Sequence, residues 1–235
     1  PIFSSAFLSM WVSNTATAIM MLPIAMSILQ LVDRKGDNSK INFELVLILS
    51  IAYACNIGGM GTLIGTPPNA LLAAFALENY GIEIGFLDWM MVGVPIMLVS
   101  LPLLYLVLTK IVYPIKIDVL PGGEDLIKNQ IKELGSLSNE EKKVAVLFVS
   151  AALLWICRPL LTGFLPGLSD AGIAIGVAVA FFLVPSRSKD SKALLSWTDA
   201  HKLPWGVLIL FGGGLSMASA ISKTGLATWI GSGIG

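Results

Sequence analysis

Residues 1–32, 45–77 and 89–109 of this chain contain no Asp, Glu, Lys, Arg or His. Each run exceeds the roughly 18 apolar residues that mark a candidate membrane-spanning helix. Backbone N–H and C=O groups in lipid have no water to bond, so a chain built from such runs is helical or closes into a β-barrel. Barrel strands alternate apolar and polar side chains over about 10 residues, whereas these runs are longer and continuous. The expectation is an all-α polytopic protein, a multi-pass integral protein of the cell (plasma or inner) membrane with the lipid bilayer as its partner. The composition agrees. Of 235 residues, 55% are hydrophobic and 13% charged, against about 25% charged in soluble domains. The net charge is zero, which argues against a nucleic-acid partner. Cys55 and Cys157 lie far apart in apolar segments and read as small interior residues, not as a disulfide framework or metal motif. The chain opens on Pro1 within an apolar run, with no signal-peptide pattern, and stops in the glycine-rich stretch 230–235. A piece of a longer protein is expected.

The first apolar stretch, 1–32, is interrupted by Ser13-Asn14-Thr15, which predicts two short helices meeting at a polar tip, the second starting at Thr15. The second stretch, 43–80, is interrupted from Gly58 to Asn69. Pro67 and Pro68 remove N–H donors and the glycines permit irregular backbone. This predicts a discontinuous helix whose second half starts near Pro67 or Pro68, a position that suits proline, and runs to Glu78. Further spans are expected over 89–112, with kinks at Pro95 and Pro102, over 144–161, and over 171–184, with Gly172 and Gly176 offering close helix contact. A last span is expected from Pro204 to about Ile221. Between the spans, 122–137 carries apolar Leu126, Ile127, Ile131 and Leu134, which reads as an amphipathic surface helix or as a loop.

Loop charges test this layout. Alternate loops hold Arg34, Lys35 and Lys40, then Lys110, Lys116, Lys128, Lys132, Lys142 and Lys143, then Arg187, Lys189, Lys192 and Lys202. That is thirteen of the fifteen Lys and Arg residues, the other loops keeping only Arg158 and Lys223. The positive-inside rule makes the first set cytoplasmic.

The two polar interruptions are the candidate site. Irregular backbone at membrane depth is tolerated where it is buried in protein or lines a watery cavity, and broken helices recur at transporter sites near the bilayer midplane. A helix N-terminus offers N–H groups and a positive dipole end to an anion. Unwound carbonyls and Ser or Asn oxygens can replace the hydration of a small cation. The plainer readings stand beside this: Ser, Asn and Thr are ordinary helix caps, small polar residues often only pack between membrane helices, and Gly-Thr-Pro-Pro-Asn is an ordinary kink. Other features carry less. His201 has no partner for catalysis or metal binding. Gly212-Gly213-Gly214 lacks phosphate-loop context and reads as packing or a break. The Met and Trp residues read as lipid-facing or interfacial, and Arg158 as reaching the outer interface. No Asp, Glu, Lys, Arg or His lies deep within an expected span, which disfavours a proton relay and favours a metal cation held by neutral oxygens.

Ser9-Met-Trp-Val-Ser13-Asn14-Thr15-Ala-Thr-Ala with Met21-Leu22-Pro23, Gly61-Thr-Leu-Ile-Gly65-Thr66-Pro67-Pro68-Asn69, and Leu210-Phe-Gly-Gly-Gly-Leu215 with Lys223-Thr-Gly-Leu-Ala227 together resemble the divalent-anion:sodium symporters, the dicarboxylate, citrate and sulfate transporters. The resemblance implies an inverted-repeat, elevator-type transporter with a re-entrant hairpin and broken helices, usually a homodimer. It implies that Ser9, Asn14 and Gly65 hold a sodium ion through hydroxyl, amide and backbone oxygens. Ser13, Asn14 and Thr15 would bind a substrate carboxylate, with Thr66 and Pro67 nearby. It divides the chain into a transport-domain part at 1–80, probable scaffold spans at 81–202, and the start of a second transport-domain part at 203–235. A second Ser-Asn-Thr motif is absent from this chain, so this piece is not expected to transport by itself.

The expected function is sodium-coupled uptake of a di- or tricarboxylate such as succinate, malate or citrate. The alternative on the same fold is a sodium-independent exchanger or a carrier of sulfate or another inorganic anion. An intramembrane enzyme using Ser13 or Thr15 as nucleophile lacks a nearby base, so no enzyme is expected. A channel fits helices broken at mid-depth less well than alternating access does.

Overall fold

The computed structural model describes residues 1–30, 38–115, 128, 131–132, 134–186, 193–203, 205–226, 229 and 232. The elements are α1 (Ile2–Ser9), α2 (Asn14–Gln30), α3 (Asn38–Gly59), α4 (Pro67–Tyr80), α5 (Phe86–Leu106), α6 (Asn139–Leu161), α7 (Asp170–Leu183), α8 (Trp197–Ala200) and α9 (Trp205–Lys223). A wider π-helical turn, Val107–Val112, continues α5. Among the described residues, three helical segments are long and apolar enough to cross a membrane: Ile41–Gly59, Phe86–Val112 and Asn139–Leu161. The chain divides into two compact units, 1–176 and 177–235, with the division falling inside α7.

In the first unit α3 is the central post. The α1 face carrying Ala6 lies so close to α3 that a Cβ on Gly58 would strike the Ala6 carbonyl oxygen. Small residues permit such backbone approach in membrane helices, where packing rather than water drives association. On the other side, Met21 and Ala25 of α2 share a buried cluster with Leu47, Ile51 and Cys55 of α3. Asn14, at the start of α2, meets Asn56 near the end of α3, while Ile28 and Leu29 pack into the same cluster as Phe43. α2 therefore runs against α3. α1 runs with it, since Ala6 meets Gly58 while Met10 reaches Thr62. The two form a helical hairpin whose tip, 10–13, sits at the C-terminal end of α3.

α5 closes the third side. Trp89 Nε1 donates to the Met60 carbonyl at 2.9 Å, and a Cβ on Gly93 would lie 2.5 Å from that same oxygen. At the other end of α3, Asn42 Nδ2 donates to the Pro114 carbonyl at 3.1 Å, so α5 is antiparallel to α3. Ala6, Met10, Ala54, Met97 and Leu101 fill the core that α1, α3 and α5 share. α6 meets this body through rings: Trp11 lies edge-on to Phe148 at 5.7 Å and stacks on Phe86 at 6.2 Å, and Phe86 stacks on Trp155 at 5.0 Å.

Helix boundaries follow local chemistry. α6 begins in a capping box: Ser138 Oγ accepts from the Glu141 N–H at 3.1 Å and Glu141 Oε2 accepts from the Ser138 N–H at 2.7 Å. α4 ends at Gly81, whose φ of 66° suits a residue without a Cβ. In the second unit, residues 193–195 fold back on the end of α7 through Leu194 N–H to Val184 O and Leu195 N–H to Phe181 O, both at 3.0 Å. The Asp199 carboxylate caps α8. Hydrogen bonds from Ser196 first, and from Lys202, hold it below the usual carboxylate range.

Several sequence expectations are corrected. Gly172 meets only Ser169 of its own turn, and a Cβ on Gly176 would meet nothing within 4 Å. The close glycine contacts are at Gly58, Gly59, Gly65 and Gly93 instead. α9 runs unbroken through Gly212-Gly213-Gly214, and none of the three would bring a Cβ within 4 Å of a neighbour. Met10, Met21, Met97 and Trp155 are buried, not lipid-facing. His201 closes α8 with its ring edge-on to Trp197 at 5.6 Å. Most of the expected surface helix at 122–137, the basic loop around Arg34 and Lys35, and Pro204 lie outside the described residues.

Candidate functional site

The hairpin tip, the end of α3 and the start of α4 meet at one place. α2 starts at Asn14, one residue earlier than the sequence implies. Ser13 is its N-cap: its hydroxyl accepts from the Ala16 N–H at 3.3 Å and its carbonyl from the Thr17 N–H at 3.0 Å. Asn14 thus occupies the first helical position with its side chain directed at α3. Ser9 Oγ, fully buried in the last turn of α1, donates to Asn14 Oδ1 at 2.7 Å. Asn14 Nδ2 donates to Asn56 Oδ1 at 3.0 Å. The space in front of Asn14 Oδ1 exists because Gly59 has no side chain, since a Cβ there would strike that oxygen.

The α3–α4 break is pinned from both sides. The buried Asn69 amide donates to the Gly59 and Thr62 carbonyls, each at 2.8 Å. The Thr62 hydroxyl, also buried, donates to the Met10 carbonyl and fastens the loop to the hairpin tip. Gly65 packs on Gly59, where a Cβ would lie 2.5 Å from the Gly59 carbonyl oxygen and 2.9 Å from its Cα. Thr66 is the N-cap of α4 without capping through its hydroxyl, and Pro67 and Pro68 open the helix.

Ser9, Asn14, Gly59 and Gly65 therefore form one contiguous group. Ser13 and Thr15 sit at the α2 N-terminus, and Thr66 and Pro67 at the α4 N-terminus. Among the described residues no hydrogen bond links these two pairs. The electrostatics are complementary. The C-terminal end of α3 presents carbonyls and the negative end of a helix dipole, while α2 and α4 present positive ends. Neutral hydroxyl, amide and carbonyl oxygens suit a hard monovalent cation. Among the described residues no group of three or more His, Cys, Asp or Glu residues is placed to hold a metal. Ser5 Oγ and Thr17 Oγ1, one turn along α1 and α2 from Ser9 and Asn14, are buried with no hydrogen-bond partner among the described residues.

Asn56, Gly59, Thr62 and Asn69 were not among the residues that the sequence marks as ligands. Their signal was present: Asn56 is a lone amide in an apolar run, and the other three lie within the glycine-rich break. A separate polar cluster lies on 83–88, α6 and α7. Arg158 pairs with Glu83 and, at 3.2 Å, with Asp170, and its Nε donates to the Leu168 carbonyl at 3.1 Å. Arg158 thus folds back into the protein, with only 17% of its side chain exposed. Arg158 and Glu83 line a pocket of about 280 Å³ with Asp88, Trp155 and Thr162.

Residues 2–234 match the family described as the sodium:sulfate symporter transmembrane region. A sodium-dependent dicarboxylate transporter of Staphylococcus saprophyticus is 43% identical over 97% of this chain, covering 46% of the relative. A transporter of the same name from Staphylococcus aureus strain USA300 is 42% identical over the same shares. The chain spans about half the length of these curated relatives.

Proposed function

The chain belongs to the sodium:sulfate symporter transmembrane family, and from that membership we propose that it is part of a secondary transporter coupling sodium influx to uptake of a di- or tricarboxylate. The observation that carries this reading is the Ser9–Asn14–Gly59–Gly65 group. A cation-suited set of neutral oxygens stands at the C-terminal end of one helix, with the N-termini of two others beside it. In this reading Ser9, Asn14 and Gly65 bind sodium. Ser13, Asn14 and Thr15 receive one substrate carboxylate, with Thr66 and Pro67 beside it. The sodium ion supplies countercharge to an anion otherwise met by neutral donors. The two staphylococcal relatives are named as sodium-dependent dicarboxylate transporters, which supports both the ion and the substrate class.

The hairpin re-enters the membrane, and the helix break lies at depth. Residues 1–80 move as part of a transport domain in an elevator-like step, and 203–235 open a second such part. α5 is packed along α1 and α3 through Gly93 and Met97, so it travels with 1–80, and the scaffold within 81–202 begins after it. The scaffold carries a homodimer interface.

The test is uptake of labelled succinate by the full-length protein in proteoliposomes, with and without an inward sodium gradient. Uptake should require sodium, and Asn14→Ala should weaken both sodium activation and substrate affinity, because one side chain serves both. Sodium dependence left intact in Asn14→Ala removes the assignment. The family's description names sulfate, so labelled sulfate belongs in the same assay. Uptake indifferent to sodium but driven by internal dicarboxylate would make the protein an exchanger.

A further inference from the structure

We propose that Asn56, in the last turns of α3, is a positioning residue for the cation site: it holds the Asn14 amide with its oxygen turned toward Ser9 and Gly59 and its nitrogen turned away. The inference rests on reading Ser9, Asn14 and Gly65 as a sodium site, and it names what orients that site.

An amide can face a cation only through its oxygen. Rotated by half a turn, the same side chain presents two N–H protons, with almost no change in shape. Hydrogen bonds must therefore support the orientation that the cation selects. The Ser9 hydroxyl can donate to the amide oxygen or accept from the amide nitrogen, and the Asn56 amide can turn likewise, so the oxygen-forward sense holds when both partners are set for it, as they are here. When the oxygen faces the cation, the Asn14 N–H groups point to the α3 face, inside an apolar run. Asn14 is half-buried and Asn56 exposed, so an acceptor there favours that orientation by pairing the donor and not by sparing a buried orphan. Asn56 Oδ1, at 3.0 Å from Asn14 Nδ2, is that acceptor. Gly59, three residues further along α3, leaves the room into which the oxygen then points. One turn of α3 thus provides both the acceptor behind the amide and the open space before it. Metal sites commonly depend on such outer partners.

Sodium-dependent thermal stabilisation of the purified full-length transporter gives the half-saturating sodium concentration without requiring transport. Asn56→Ala should raise that concentration roughly tenfold, the lower end of what losing an outer-shell partner does to metal sites. Asn14→Asp supplies a second background. A carboxylate presents an oxygen in either orientation, so Asn56→Ala should change nothing there. An unchanged sodium requirement for Asn56→Ala in the native background overturns the proposal. An equal rise in the Asn14→Asp background overturns it too, because Asn56 would then act without the amide. Melting in choline reports folding of each variant. If Asn56→Ala does not fold, Asn56→Ser carries the same expectation, since its hydroxyl is too short to reach Asn14 Nδ2. A native protein that sodium does not stabilise at all overturns the sodium-site reading itself. A native protein that responds, with Asn56→Ala responding at the same sodium concentration, overturns only the role of Asn56.

Discussion

A Cβ added to Gly58 would stand 2.5 Å from Ala6 Cα and 2.7 Å from its carbonyl carbon. Both are backbone atoms that cannot turn aside, so Gly58→Ala must separate α1 from α3. Overpacking of this kind costs about 1–3 kcal/mol, and purified Gly58→Ala protein should melt at a lower temperature. Gly176→Ala is the contrast. It meets nothing within 4 Å and replaces glycine by the best helix former, a change worth about 1 kcal/mol in favour of the helix. Its melting temperature should hold or rise. The sequence reads the two the other way round, Gly58 as part of a helix break and Gly176 as a close contact, because the signal for close packing lies in the partner and not in the glycine. The same ambiguity hid Met10, Met21, Met97 and Trp155. In a membrane span the buried face and the lipid face are both apolar, so periodicity does not separate them.

At the scale of elements, the decisive feature is the interruption between α3 and α4. It was legible because its causes are local: Pro67 and Pro68 lack N–H donors and suit a helix start, and the glycines before them release the backbone. Where the freed carbonyls would go was not legible, because Asn69 answers that across the break. Its amide holds the Gly59 and Thr62 carbonyls at once. Asn69→Ala strips the Gly59 carbonyl of this donor and leaves the Thr62 carbonyl with the longer bond from the Gly65 N–H at 3.4 Å, at about 1–3 kcal/mol for such a loss. Because the clamp is local, the effect should concentrate in residues 60–66. Hydrogen exchange there should accelerate strongly, with α5 little changed, and sodium binding should weaken as Gly65 loses its seat on Gly59. Uniform acceleration across α1, α3 and α5 would mean that Asn69 supports the whole body and not the break. Asn14 shows the same division: its place at a helix start was legible from Ser13-Asn14-Thr15, but its link to Asn56 was not, since the two lie far apart along the chain.

At the scale of the first unit, one ion cluster joins the α4–α5 connection to the α6–α7 connection. Arg158 sits between Glu83 and Asp170, and Asp170 Oδ2 also accepts from the Phe86 N–H at 2.9 Å. The two carboxylates differ in surroundings: 62% of the Glu83 side chain is exposed but only 19% of Asp170. Water screens the first pair, so Glu83→Gln should cost under about 1 kcal/mol. Removing Arg158 strands a half-buried carboxylate, and Arg158→Met should destabilise by roughly 3 kcal/mol. Asp170→Asn keeps an acceptor for the Phe86 N–H and removes the charge. Introduced into Arg158→Met, it should therefore restore part of the lost stability, although alone it is destabilising. Melting temperatures of the four proteins close that double-mutant cycle. Simple addition of the two losses would mean that Arg158 acts through its packing beside Trp155 and not through its charge. Recovery would identify the charge pair as the link by which the loop leading into α5 is held to α6 and α7. Because α5 is proposed to travel with the sodium-binding body, Arg158→Met should then also change the transport rate while leaving sodium affinity intact, since Arg158 lies in a cluster separate from Ser9, Asn14 and Gly65.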